Sequence, residues 1–394
     1  MSWVPGMGTM ALIACVLYVP YYLFFVIRRT SFFCGKTRFR SFLQDNCGQF
    51  LDGFFWVPFW CISSNVQSLF AMLIQDNQPE LPYRRQLKYL SDGGLVALDW
   101  LNEDCEPPVV LCLTGLTGDS QAFYLKTLLP MLSGMKCPCV VLNNRGQGGL
   151  PLLNHRMAYV LGIDDVTEVV AEIKKRYPEG RILAVGYSLG GTQLGHYLRQ
   201  KGDEAQIDAG VSLSIPFHLP TTNVNLNGWS TNYLLNMYLA RSLVQRFKQY
   251  CPVLVSSGIV DINHLFRSRT LLEIDKQLTV PVYGFKSTSD YYEKGSLKGK
   301  LSTIRRPLVF LLASDDVFGS EETIPTAEIE DNPWLAAIVT PRGGHVGFLD
   351  GLLWPKPPFF SERFVAAYLK ALLQLCRKPG GTAHLAQLGT PCTS

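Results

Sequence analysis

The chain has 394 residues, more than one small module needs and fewer than two large domains need, so one catalytic-sized α/β domain with additions is the starting expectation. It is 47% hydrophobic and only 17% charged, a balance that excludes a disordered chain, a collagen-like repeat and a solvated acidic scaffold. Net charge is +4, and five basic side chains (Arg28, Arg29, Lys36, Arg38, Arg40) precede the first acidic one, Asp45, so the body lacks the basic stripe that a nucleic-acid partner requires.

From Trp3 to Ile27 no side chain is charged, and Met10 to Ile27 is almost wholly apolar, close to the ~20 residues that cross a bilayer core. Residues 1–27 are therefore expected to form an N-terminal transmembrane helix. Pro20 is tolerated in such a helix, and Tyr21 and Tyr22 suit its interface. A cleaved signal peptide would carry its basic residues before the apolar run, whereas here they follow it. A buried core helix is the other alternative. Basic residues after the span place the body on the cytoplasmic side, with the endoplasmic reticulum as a candidate membrane.

Residues 28–85 mix aromatics (Phe32, Phe33, Phe54, Phe55, Trp56, Phe59, Trp60) with basic residues. They read equally as a membrane-proximal extension or as ordinary core aromatics. From 86 to 378 strand and helix signals alternate, as in a mostly parallel sheet with helices on both faces. Two short runs around Ser91-Asp92-Gly93-Gly94 read as a hairpin. Pro108–Leu116 and Cys139–Gly146 are continuous apolar runs ending in glycine loops, the pattern of strands buried on both faces. Tyr124–Leu132 is helix-like, and Asp164–Tyr177 is an amphipathic helix with acids at its start and bases at its end. The alternation dissolves between about 217 and 300, apart from a helix-like Asn232–Tyr250, and this stretch reads as an inserted cap. Strand signals resume at Arg306–Asp316 and Trp334–His345. A last helix over Phe359–Cys376 precedes a Gly/Thr/Pro-containing segment, 379–394, expected to be mobile.

Eleven cysteines, with no CxxC, support neither a disulfide framework nor a zinc ribbon. HExxH, EF-hand and GxxxxGK[ST] patterns are missing as well, so neither metal nor cofactor is expected. No Asn-x-Ser/Thr acceptor occurs, in keeping with a cytosolic body.

Gly186-Tyr187-Ser188-Leu189-Gly190-Gly191 lies directly between a strand, RILAV, and a helix-like GTQLGHYLRQ. A serine on so tight a strand-to-helix turn is pushed into the open, and the helix behind it offers N–H donors where an oxyanion forms. Ser188 is thus the candidate nucleophile. Its hydroxyl needs an imidazole to take the proton and a carboxylate to orient that imidazole. Of the six histidines, His345 follows a predicted strand near the C-terminal end; His155, His196, His218, His264 and His384 are expected to be solvated or structural. Asp315 and Asp316 close the preceding strand, and Asp316, nearer the loop, is preferred as the acid. The backbone amides of Leu189 and of Leu116, in the loop Leu113–Gly118, are the expected oxyanion donors. Arg145, at a strand end, is expected to be a buried structural arginine.

LTGLTGDS, LNNRGQGG, AVGYSLGGTQLGHYL, ASDDVFGS and RGGHVGFLDGLLW resemble, in order, motifs of the α/β-hydrolase superfamily, and more narrowly of its membrane-anchored α/β-hydrolase-domain-containing branch, which includes yeast medium-chain fatty acid ethyl ester synthase/esterases. The likeness runs over about residues 86 to 376 and takes in the N-terminal apolar run. It implies a Ser188, Asp316 and His345 triad and a serine hydrolase acting on lipid esters, of phospholipase or acylglycerol lipase type in some relatives; the expected anchor, apolar juxtamembrane region and cap suit a substrate drawn from the membrane. Relatives often carry proline at or just before Ser320. His345 to Asp350 also fits an H-x-x-x-x-D string linked to acyl transfer in some relatives; since His345 is the triad base, the match reads as coincidence. Acyl transfer from the same acyl-enzyme is the alternative activity, and a silent binding scaffold is the alternative of another class.

Overall fold

A computed structural model describes residues 7–228 and 231–391. In chain order it runs through helix α1 (Met7–Tyr21), strands β1 (Arg28–Arg29) and β2 (Ser31–Cys34), α2 (Arg38–Leu51), β3 (Phe54–Phe55) and α3 (Ser64–Asp76). There follow β4 (Arg84–Tyr89), β5 (Leu95–Leu101), β6 (Val109–Leu113), α4 (Phe123–Ser133), β7 (Cys139–Asn143), α5 (Ile163–Arg176), β8 (Ile182–Tyr187), α6 (Leu189–Lys201) and β9 (Ala209–Leu213). The cap opens with α7 (Leu219–Asn227) and α8 (Thr231–Gln249), and the sheet ends with β10 (Leu308–Ala313) and β11 (Leu335–Thr340).

One sheet has the order β2-β11-β10-β9-β8-β6-β7-β5-β4. From β7 to β11 every pairing is parallel; β2 on β11, β5 on β7 and β4 on β5 are antiparallel. The period-two alternation of side chains sorts the core onto two faces. Val110, Cys112 and Val185 meet Leu125, Leu128 and Leu132 of α4 and Phe364, Leu369 and Leu372 of the final helix, Phe360–Arg377. Leu111, Leu113 and Ala184 meet Val166, Val169, Val170 and Ile173 of α5 and Leu194 of α6. Such helical spacing of buried residues, with Asp164 and Asp165 in the first turn and Lys174, Lys175 and Arg176 in the last, is why α5 forms and where it stops.

The expected transmembrane helix over 1–27 finds no support in the structure, and residues 1–6 lie outside the described residues. Among the described residues no helix is long and apolar enough to cross a membrane. Helix α1 has 15 residues and gives way to a π-helical turn at Tyr22–Val26. Tyr22, Val26 and Ile27 are buried in the main core, and the Tyr18 and Tyr22 hydroxyls donate to the Phe59 and Val57 carbonyls. Just downstream, β2 begins at Ser31 and pairs with β11, so the chain has joined the sheet by that point. The charge argument for a cytoplasmic body depended on that span and goes with it.

Residues 28–85 answer both readings of their aromatics. Phe50 and Phe55 pack edge-on against Phe360, with centroids 5.4 and 5.2 Å apart, as core residues do. Phe54, Trp56 and Phe59 are exposed, together with Leu23, Phe24 and Phe25 and with Leu352, Leu353 and Trp354. Trp60 joins the last of these to the extension, its Nε1 donating to Leu353 O at 2.7 Å and its ring stacking on Trp354.

The segment after 379 is ordered in part. Gly381–Gln387 is helical, Leu385 and Leu388 are buried, and the Phe39 amide donates to Leu388 O at 2.8 Å. Two apolar side chains at the right spacing dock a stretch whose composition reads as loose; 392–394 lie outside the described residues.

Candidate active site

Ser188 sits between β8 and α6 with φ +51° and ψ −112°, a backbone conformation that a non-glycine residue adopts only when its surroundings force it. The surroundings are close. A Cβ on Gly190 would lie 2.4 Å from the Leu113 carbonyl oxygen, so α6 approaches β6 to a distance only glycine allows. This pulls the first turn of α6 under the serine and directs its amides and dipole toward Oγ.

Three residues far apart in sequence meet here. The Ser188 hydroxyl lies 2.9 Å from His345 Nε2, and His345 Nδ1 lies 2.9 and 3.1 Å from the two Asp316 oxygens. The carboxylate selects the tautomer with the proton on Nδ1, leaving Nε2 free to accept from Ser188. Asp316 is buried, so its hold on the imidazole is little screened. The neighbouring Asp315 holds the backbone instead, its Oδ1 accepting the Gly344 amide at 2.9 Å. Burial pushes its carboxyl up to about 6.

The loop bearing His345 is pinned by two serines that the motif search does not reveal. Ser68 Oγ, on α3, accepts the His345 amide at 2.8 Å, and Ser214 Oγ, after β9, accepts the Val346 amide at 3.0 Å. Contact with α3 is tight: a Cβ on Gly344, whose φ is +57°, would lie 2.3 Å from Ser64 O. No local pattern marks either serine, because each acts only through the fold.

The amides of Leu116 and Leu189 make no hydrogen bond among the described residues, and both residues line the cavity that holds Ser188. Gly115, one position earlier, spends its amide on the Tyr124 hydroxyl at 3.0 Å. The Leu116 carbonyl accepts from Gln147 Nε2 at 2.6 Å, and Gln147 in turn accepts from Arg246 of α8. One polar chain thus ties the cap to the loop beside the serine.

The cavity over Ser188 runs beneath the cap. Leu219, Leu243, Phe247, Ile274, Leu278 and Phe318 supply apolar wall, and His155 reaches the same space. Arg145 also touches the cavity, but its guanidinium is clamped by Asp165 and Asp92 at 2.7 and 2.8 Å. His196 is buried in α6 on the Gly295 carbonyl, and burial lowers its pKa to about 4, so it is neutral. His218 bonds Thr221 and His264 pairs with Asp261. Asp350, five residues after His345, faces Arg363 instead. No cluster among the described residues is arranged to hold a metal ion.

A sheet of this order, with a serine on the tight turn after β8, is an α/β-hydrolase arrangement, and the chain belongs to the alpha/beta hydrolase fold family, whose sequence pattern matches residues 108–352. Phospholipase ABHD3 of Mus musculus is 29% identical over 367 residues, which cover 91% of this chain and 88% of that protein. Protein abhd-3.2 of Caenorhabditis elegans is 30% identical, covering 74% and 78%. The monoacylglycerol lipase of Saccharomyces cerevisiae is 28% identical, covering 66% and 59%. An esterase of Pyrococcus furiosus, PF2001, matches in structure with a TM-score of 0.50 over 76% of this chain and 97% of its own, at 17% identity, a likeness of fold alone.

Proposed function

We propose that the chain is a serine hydrolase that cleaves acyl esters of lipids. Ser188 attacks the ester carbonyl, His345 takes its proton and later returns it to the leaving alcohol, and Asp316 orients and stabilises the imidazolium. The amides of Leu116 and Leu189 hold the oxyanion, and water then releases the acyl group from Ser188. The observation that carries this reading is the unbroken chain from Ser188 Oγ through His345 to Asp316, each step within 3.1 Å. An apolar cavity above the serine suits an acyl chain, and an exposed apolar face beside the fold suits a substrate presented at a lipid surface. The phospholipase and monoacylglycerol lipase among the relatives support a lipid ester as substrate.

Fluorophosphonate labelling of the wild type beside Ser188→Ala, with phospholipids and acylglycerols assayed on both, tests it. Labelling and fatty acid release confined to the wild type are expected. An unlabelled but folded wild type overturns the mechanism.

A further inference from the structure

The loop between β6 and α4 is held by more than its own turn. Gly115 carries no Cβ, so the peptide planes on either side of it rotate freely unless something fixes them. Both are fixed. The Gly115 amide donates to the Tyr124 hydroxyl at 3.0 Å, and the Gly115 carbonyl accepts the Gly118 amide at 3.0 Å. That carbonyl shares a planar trans peptide with the Leu116 N–H, so the two point in opposite directions and fixing one aims the other.

Tyr124 is suited to be the fixed point. It stands in the first turn of α4 and is buried, and burial pushes its phenol up, so the hydroxyl meets Gly115 as a neutral acceptor. Its ring stacks on that of Tyr187, with centroids 4.0 Å apart and planes 24° apart. Tyr187 immediately precedes Ser188, and its own hydroxyl has no hydrogen-bond partner among the described residues, so it acts here through its ring. The two sides also meet directly: a Cβ on Gly115 would lie 3.7 Å from Ser188 Cβ. One ring pair thus sets the spacing between the loop carrying Leu116 and the turn carrying Ser188 and Leu189.

We infer that Tyr124 is a positioning residue for the oxyanion: its hydroxyl fixes the Gly115 peptide, and its stack on Tyr187 fixes the spacing, at which the Leu116 and Leu189 amides converge on one oxygen. This deepens, and rests on, the serine-esterase reading of the same site. Loss of the hydroxyl leaves substrate binding intact, because the ground-state carbonyl depends on the paired amides less than the tetrahedral oxyanion does. The effect therefore falls on kcat and on the identity of the carbonyl atom rather than on KM. Gly118 gives a second handle on the same contact. A Cβ there would lie 2.6 Å from the Tyr124 hydroxyl, and its φ is not in the left-handed region, so alanine crowds the hydroxyl without straining the backbone.

The test measures Tyr124→Phe, which keeps the ring and its stack, on the full chain. The substrates are 4-nitrophenyl butyrate and its thiono counterpart, whose C=S sulfur is the weaker hydrogen-bond acceptor. Relative to wild type, kcat on the oxygen ester is expected to fall about 10-fold with KM within about twofold, and the ester-to-thionoester rate ratio to fall about 10-fold. Gly118→Ala is expected to give the same pattern, and it decides the matter where Tyr124→Phe does not fold. A folded variant that handles both esters as the wild type does overturns the positioning role. So does a loss shared equally by ester and thionoester, the mark of a merely structural defect. Cleavage that survives in Ser188→Ala, or no cleavage by the wild type, overturns the serine-esterase reading and this inference with it, so the two failures are told apart.

Discussion

Ser68 Oγ accepts the amide proton of His345 at 2.8 Å although 277 positions separate them. A helix of the N-terminal extension thereby sets the backbone from which the imidazole projects toward Ser188. Substituting Ser68 by alanine removes the acceptor of the His345 amide, together with the hydroxyl's own bond to Ser64 O at 3.2 Å, a loss of about 1 to 2 kcal/mol, and leaves the ring itself in place. The expected outcome is a kcat reduced by about 5- to 20-fold with little change in KM, restored by threonine, in steady-state assays of Ser68→Ala and Ser68→Thr. A fall in KM and kcat together, or failure of the threonine rescue, counts against a positioning role.

The adjacent acids are separable by their partners. Asp316→Asn loses the carboxylate that fixes the His345 tautomer, and kcat is expected to fall by roughly 10³ to 10⁴. Asp315→Asn keeps an acceptor for the Gly344 amide and lies off the proton path, so a loss of no more than about tenfold is expected. Parallel kinetics on the two variants check the ordering; equal losses would mean that both carboxylates serve the histidine.

Gln147 links Arg246 of the cap to the Leu116 carbonyl. Gln147→Ala frees the loop whose Leu116 amide is proposed to hold the oxyanion, and the rate of fluorophosphonate labelling is expected to drop by about tenfold, less than the ~10²-fold or more that follows outright removal of such a donor. Stopped-time labelling under identical conditions supplies the comparison.

His196 makes stability depend on pH. Its folded pKa of about 4 lies below the ordinary value of 6.5, so between these values the unfolded chain binds more protons. Its neutral burial contributes fully above pH 6.5, and the contribution fades as pH falls toward 4, by at most about 3 kcal/mol. Denaturant titrations at pH 7 and pH 5 are expected to give a smaller drop for His196→Gln than for the wild type; equal drops would remove His196 from the account.

The parts of the site that were readable in the sequence are those with local signatures. Ser188 stands in a glycine-flanked turn between a strand and a helix, and Asp316 and His345 each follow an apolar run that can only be a strand, so order and spacing alone suggest their meeting. Ser68 and Ser214 carry no such mark, since their importance arises from contacts made across the fold. The apolar run to Ile27 divides in the structure, Tyr22, Val26 and Ile27 being buried in the core while Val16, Leu17, Val19, Leu23, Phe24 and Phe25 are exposed, and hydropathy alone does not separate the two. The tail beyond 379 looks loose by composition, yet Leu385 and Leu388 are buried. Helix α8 was legible from its length, whereas the short turns after it, including the one that opens with Asp275, offer too few residues for a period to emerge.

Pairing of Ser31–Cys34 with Ala336–Val339 has a practical side for anyone preparing this protein. A chain trimmed to begin near residue 86, where the familiar motifs start, would bare the β11 backbone as a raw edge ready to recruit strands from other molecules. It would also discard Ser68 and the buried face of α2, leaving Tyr368 and Phe364 without their aromatic neighbours Phe39, Phe42 and Phe50. Such a trimmed product would aggregate, and an inactive preparation of it would say nothing about Ser188. The smallest working unit therefore begins upstream of β2.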